Sequence, residues 1–167
     1  LPARQLKAGY AEIVKAALVR DAGFFDVLER EAHAVIGGGD QDSLARVIQQ
    51  SLKIKAQIVE HDEREQGQRA ILNFGHTFGH AIEAFYGYDG RVLHGEAVAI
   101  GMVMAADLSA RLGHLKTQEV VRITDHLGGC GLPCSIFDLG LEVDAYPSPE
   151  ELIALMQHDK KKKDQRL

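Results

Sequence analysis

Apolar residues recur at helical spacing along almost the whole chain, and this periodicity excludes most architectures before any side-chain chemistry is considered. Ile13, Val14, Ala17 and Leu18 form one stripe in a segment spanning roughly 4 to 20. A second helix is expected through Phe24, Phe25, Val27 and Leu28. Gly37, Gly38 and Gly39 interrupt the pattern, after which Asp40 or Asp42 can cap a long helix carrying Leu44, Val47, Ile48, Leu52, Ile54, Ile58 and Val59 and ending near His61. A helix from about 73 to 86 is stopped by Gly87 and the Asp89-Gly90 turn, and residues 94 to 112 supply a very apolar one. An amphipathic helix over 117 to 128 leads into a loop marked by Gly128, Gly129, Gly131 and Pro133, and Pro147 and Pro149 precede a last short helix. No alternating strand pattern of useful length and no internal repeat occurs, so the expected fold class is all-α.

A chain of 167 residues fits one domain, 1–167, with room for a sizeable core. Its 46% hydrophobic and 26% charged content is ordinary for a globular protein. A net charge of -5 excludes a polyanion-binding surface, so no nucleic acid is expected as partner. No run approaches the length of a membrane span and no signal-like segment opens the chain, which gives the cytoplasm as the default location. Cys130 and Cys134 have no second pair to complete a structural zinc site, and read as two ordinary thiols. The chain starts with Leu1-Pro2 and stops just after Lys160 to Lys163, so both ends are expected to be cut from something longer. Lys162 and Lys163 read as a solvated tail.

The densest chemistry lies in Arg69-Ala-Ile-Leu-Asn73-Phe-Gly-His76-Thr-Phe-Gly-His80, followed by His94-Gly95-Glu96. His76 and His80, at i and i+4, share one helix face, and His94 opens the next helix, which an antiparallel return would bring towards them. Two histidines and one carboxylate make a catalytic zinc set with an open position. Glu12, Glu83, Glu96, Asp62 and Glu65 are all candidates for the carboxylate, and spacing does not choose among them. Taken alone, Glu12 and Lys15 would be a surface ion pair. Glu63 and Arg64 read as a solvated helix end, and Asp62 and Glu65 as carboxylates orienting Arg69 or a histidine. Phe74, Phe78, Phe85, Met102 and Met104 read as packing.

In this order and with similar separations, the segments GYAEIVKAALV, LKIKAQIVEHDEREQGQRAILNFGHTFGHAIEAFYGYDGRVLHGEAVAIGMVMAA and HDKK resemble the C-terminal domain of 3-dehydroquinate synthase. The resemblance spans nearly the entire chain. It implies the helical domain type shared with iron-containing alcohol dehydrogenases, with Glu12, His76 and His94 as zinc ligands and His80 as an acid-base or proton-relay residue beside them. It places Lys15, Lys55, Arg69 and Asn73 around the substrate, Lys15 and Lys55 with catalytic roles, and Lys160 near the substrate's anionic groups.

The implied activity is that of an NAD- and zinc-dependent carbon-oxygen lyase, converting the phosphorylated keto acid DAHP to 3-dehydroquinate with loss of phosphate, in the shikimate pathway of aromatic amino-acid biosynthesis. Cobalt or iron could replace zinc on such a donor set. NAD would be bound mainly by an N-terminal domain absent from this chain, so no cofactor-binding residue is expected here and the chain alone is expected to be inactive. A homodimer is implied. The rival readings are another sugar-phosphate cyclase (a 2-deoxy-scyllo-inosose or valiolone-type synthase), a metal-dependent polyol dehydrogenase, a helical phosphohydrolase suggested by His61-Asp62, and an inert helical remnant or interaction module.

Overall fold

A computed structural model describes residues 2–37, 40–62, 67–142 and 146–164, without the side chains of Gln68 and of residues 159–164. Among the described residues there is no strand. The helices are α1 (Ala3–Arg20), α2 (Ala22–Ile36), α3 (Gln41–His61), α4 (His76–Phe85), α5 (His94–Arg111), α6 (Thr117–Gly129) and α7 (Pro149–Asp164), with short 3-10 turns at Gln68–Asn73 and Ile136–Leu139.

From Ala97 to Ala106 the helix α5 is apolar around its circumference, and it is covered on two sides. Val98, Ala99, Met102 and Ala106 belong to a core with Tyr10 and Val14 of α1, Leu28 of α2 and Leu127 of α6. Ala97 and Ile100, on the other side, pack with Ala81 and Ile82 of α4, Tyr86, and Leu152 of α7. A helix without a polar face belongs in the interior, and this one separates two apolar clusters. Its entry is fixed by Glu96, whose carboxylate accepts from the Leu93 N–H at 2.9 Å and from the Arg4 guanidinium at 2.6 and 2.7 Å. This arrangement closes the helix start and ties it to α1.

Two glycines let backbones meet on α5. A Cβ on Gly95 would lie 1.9 Å from the Ala8 carbonyl oxygen, and one on Gly101 would lie 2.0 Å from that of Gly75. Neither position can hold a side chain unless α1 or the α4 entry moves away. These contacts hold α1 and the α4 entry close against α5.

Four boundaries or settings differ from the sequence expectation. The helix expected from 73 begins at His76, because Gly75 takes a left-handed φ of 78° and the preceding residues wind into a 3-10 turn. The last helix is not short: it runs through the lysine run to Asp164, so Lys162 and Lys163 are helical rather than tail. Ser135 and Asp138 form a capping box on an unanticipated 3-10 turn. Glu12 and Lys15 are no surface pair, since Lys15 is only 3% exposed. Asp40 caps α3, accepting from the N–H groups of Asp42 and Ser43. Cys130 is buried, Cys134 half-buried, and both are free thiols.

Candidate metal centre

Three helices each direct one donor to a common point. Glu12 lies on α1, His76 is the first residue of α4 and His94 the first of α5, and one ligand atom from each falls within 4.8 Å of the others. Glu12 Oε1 stands 3.8 Å from His76 Nε2 and 3.9 Å from His94 Nε2. Donors about 2.1 Å from a tetrahedral zinc are roughly 3.4 Å apart, so Glu12 stands about half an ångström beyond that spacing from each histidine, and the three atoms, within 4.8 Å of one another, would draw together on binding an ion.

Hydrogen bonding fixes the tautomers that such a role needs. His94 Nδ1 lies 3.1 and 3.2 Å from the two oxygens of Glu83, and His76 Nδ1 lies 3.3 Å from the Phe74 carbonyl. Both partners are acceptors, so each Nδ1 donates, and in the neutral form of either ring Nε2 then keeps its lone pair. One hard oxygen and two imidazole nitrogens suit a divalent ion of the zinc, cobalt or iron type. His94 is exposed, which leaves the cluster open on one side.

The surroundings are cationic. Lys15 Nζ donates to both Glu12 oxygens at 2.9 and 3.0 Å and lies 3.4 Å from His76 Nε2, and Lys55 Nζ from α3 reaches Glu12 Oε2 at 3.2 Å. Burial by itself would push the Glu12 carboxyl up. Hydrogen bonds and charge from Lys15, together with those of Lys55, more than reverse this and hold it below the usual carboxylate range. Burial lowers the Lys15 ammonium, with Glu12 opposing it, and lowers the His76 imidazole, with the Lys15 charge adding to the effect. A low carboxyl and a neutral imidazole are the forms that bind metal.

His80 lies beside the three donors, its ring 5.1 Å from that of His76 and 6.3 Å from that of His94. Arg69 and Asn73 are exposed on the 3-10 turn before α4. Asn73 lines a cleft of about 600 Å³ with Leu18, Val19, Ile71, Phe74 and Phe78, a cleft that includes none of the three donors. Asp62 accepts from the main-chain N–H groups of Gly67 and Arg69, at 3.1 and 2.8 Å, and so holds the backbone of that turn. Glu63, Arg64 and Glu65 lie outside the described residues, as does the side chain of Lys160. Of the other carboxylates, Glu96 is committed to Arg4 and the α5 start, and Glu83 to the far nitrogen of His94. Sequence spacing carried no sign of that last contact.

An all-helical domain that gathers a carboxylate and two imidazoles beside two lysines has a donor set of the kind that can hold a divalent ion. Comparison with known proteins gives the family: residues 9–162 match the model for 3-dehydroquinate synthase C-terminal domains, and the chain belongs to that family. It is 48% identical to a 3-dehydroquinate synthase of Bradyrhizobium sp. over 98% of its length, and 46% identical to that of Rhodopseudomonas palustris over 100%. The chain spans 42% and 44% of those two relatives. Among solved structures it resembles 2-epi-5-epi-valiolone synthase from Streptomyces hygroscopicus with NAD+ and Zn2+ bound, at a TM-score of 0.81 and 30% identity, covering 98% of this chain and 43% of that one. It also resembles 2-deoxy-scyllo-inosose synthase complexed with carbaglucose-6-phosphate, NAD+ and Co2+, at a TM-score of 0.76 and 26% identity, covering 95% and 40%.

Proposed function

We infer that this chain is the metal- and substrate-binding part of a 3-dehydroquinate synthase, acting on DAHP with release of phosphate in the shikimate pathway. The observation that carries the reading is the convergence of Glu12, His76 and His94 beneath Lys15 and Lys55. Curated relatives named 3-dehydroquinate synthase at 46–48% identity favour this substrate over those of the two structural neighbours, at 26–30%. In this reading NAD is held mainly by a second domain, the working enzyme is a cytoplasmic homodimer, and this chain alone does not turn over.

Bound by Glu12, His76 and His94, zinc, with cobalt or iron as substitutes, would supply Lewis-acid polarisation of a substrate hydroxyl. The chain's own residues do the rest. Lys15 and Lys55 bring two ammonium groups to one point, suited to a phosphate or a developing alkoxide. His80 is near enough to the donor cluster to take up or return a proton there. The planar fork of Arg69 matches a carboxylate, Asn73 can donate and accept at once, and Lys160 adds positive charge at the α7 end.

The test is metal analysis of the purified chain, followed by assay after reunion with an NAD-binding half. Stoichiometric zinc or cobalt, lost in Glu12→Ala and His76→Ala, with DAHP turned over in preference to glucose 6-phosphate, is the expected result. Preference for the neutral sugar phosphate would move the chain to the rival cyclases, and polyol oxidation without phosphate release would move it to the dehydrogenases.

A further inference from the structure

We propose that Glu83 is a positioning residue for the metal centre, setting the tautomer and the ring plane of His94. This inference rests on the reading of Glu12, His76 and His94 as ligands. Glu83 does not join the three donors. Its two oxygens lie 3.1 and 3.2 Å from His94 Nδ1, on the side of the ring opposite the Nε2 that faces Glu12.

His94 has particular need of such a hold. It begins α5, its side chain is 48% exposed, and it lacks the close packing around His76, which is 13% exposed. An exposed imidazole can rotate freely and, when neutral, exchange its proton between the two nitrogens. Glu83 is only 12% exposed and sits on α4, seven residues after His76 and three after His80. One face of α4 thus carries a donor, the neighbouring histidine and the carboxylate that holds the third donor. The α4 entry packs backbone to backbone on α5 at Gly75 and Gly101, so Glu83 reaches His94 from a rigid support. A carboxylate behind a ligand imidazole fixes its orientation and makes it a better donor.

Two measurements on the metal-free and cobalt-loaded chain test this. By 15N NMR near pH 8, above the ordinary imidazole pKa of about 6.5, His94 of the metal-free wild type is expected as the Nδ1–H tautomer, and Glu83→Ala is expected to lose that preference. Titration with Co2+ against a competing chelator is expected to show about a 10–100-fold weaker affinity in Glu83→Ala, with an altered visible absorption spectrum. Glu83→Gln, whose amide oxygen can still accept from Nδ1, is expected to keep the tautomer and most of the affinity. It carries the test if the alanine variant fails to fold.

Wild-type affinity, spectrum and tautomer in Glu83→Ala would overturn the proposal. So would equal weakening in both variants with the His94 tautomer unchanged, because that would be a loss of stability or charge rather than of positioning. A wild-type chain that takes up no Co2+, yet shows the Nδ1–H tautomer and loses it in Glu83→Ala, would sink the metal reading and leave the hold of Glu83 on His94 intact.

Discussion

Replacing Gly95 by alanine pits two effects of known size against each other. In an ordinary helix the change is favourable by roughly 0.5–1 kcal/mol, because glycine loses more backbone entropy on folding. Here the new Cβ would stand 1.9 Å from the Ala8 carbonyl oxygen, whereas an ordinary contact needs about 3.4 Å. The obstacle is backbone of α1, so α1 and α5 must separate by roughly 1.5 Å. Overpacking of this kind costs about 1–3 kcal/mol and occasionally more, which outweighs the helix gain. The expected net loss of about 1–2 kcal/mol corresponds to a fall in melting temperature of roughly 2–8 °C for a domain of this size. The same displacement pulls Glu12 on α1 away from His94 on α5, while a metal site tolerates misplacement of only about 0.5 Å. Thermal unfolding with and without Co2+, together with Co2+ titration, measures both consequences. A variant melting at or above the wild type with undiminished Co2+ affinity would refute the argument that this backbone contact sets the ligand geometry.

Metal occupancy at a thousandfold excess over Kd should raise stability by about 4 kcal/mol, so a chelator should lower the wild-type melting temperature and leave His76→Ala unmoved. Tyr10→Phe removes a buried hydroxyl 3.1 Å from His126 Nε2 and 3.4 Å from the Leu28 carbonyl, and should cost about 1–2 kcal/mol in denaturant unfolding without changing Co2+ affinity. Glu12→Gln removes the partner that opposes the burial-driven fall of Lys15. The unfolded chain then binds more protons than the folded one above the depressed Lys15 value and below about 10.4, so stability should rise with pH through that window more steeply than in the wild type; parallel pH profiles would contradict it. In the wild type the Glu12 carboxyl is held low, so its contribution is complete above the ordinary value of about 4.3 and is lost only as pH falls through the lower folded value, a limb that Glu12→Gln should lack in acid unfolding of the metal-free chain.

The helices were legible because apolar residues at i, i+3 and i+4 report a buried face whatever that face packs on, and α5 is buried on both sides. The start of α4 was not, because the pattern continues through Asn73 while the break depends on the backbone angle of Gly75. Spacing put His76 and His80 on one face but could not separate the imidazole that points at Glu12 from the one beside it. Nor could it choose among five carboxylates. Glu12 is 64 residues before His76, and it takes the close approaches at Gly95, to α1, and at Gly101, to the α4 entry, to make the two neighbours of His94. The Glu83 contact was invisible for the same reason: it crosses between helices, and no local pattern encodes it.

The three donors enter the chain far apart, and their order has a consequence for biosynthesis. As the polypeptide grows, Glu12 emerges first and 81 further residues must be made before His94 follows. No ion can be gripped by all three until α5 has docked between its two apolar clusters. Metal uptake during translation would therefore serve as a clock for completed tertiary assembly, later than helix formation and later than the first collapse.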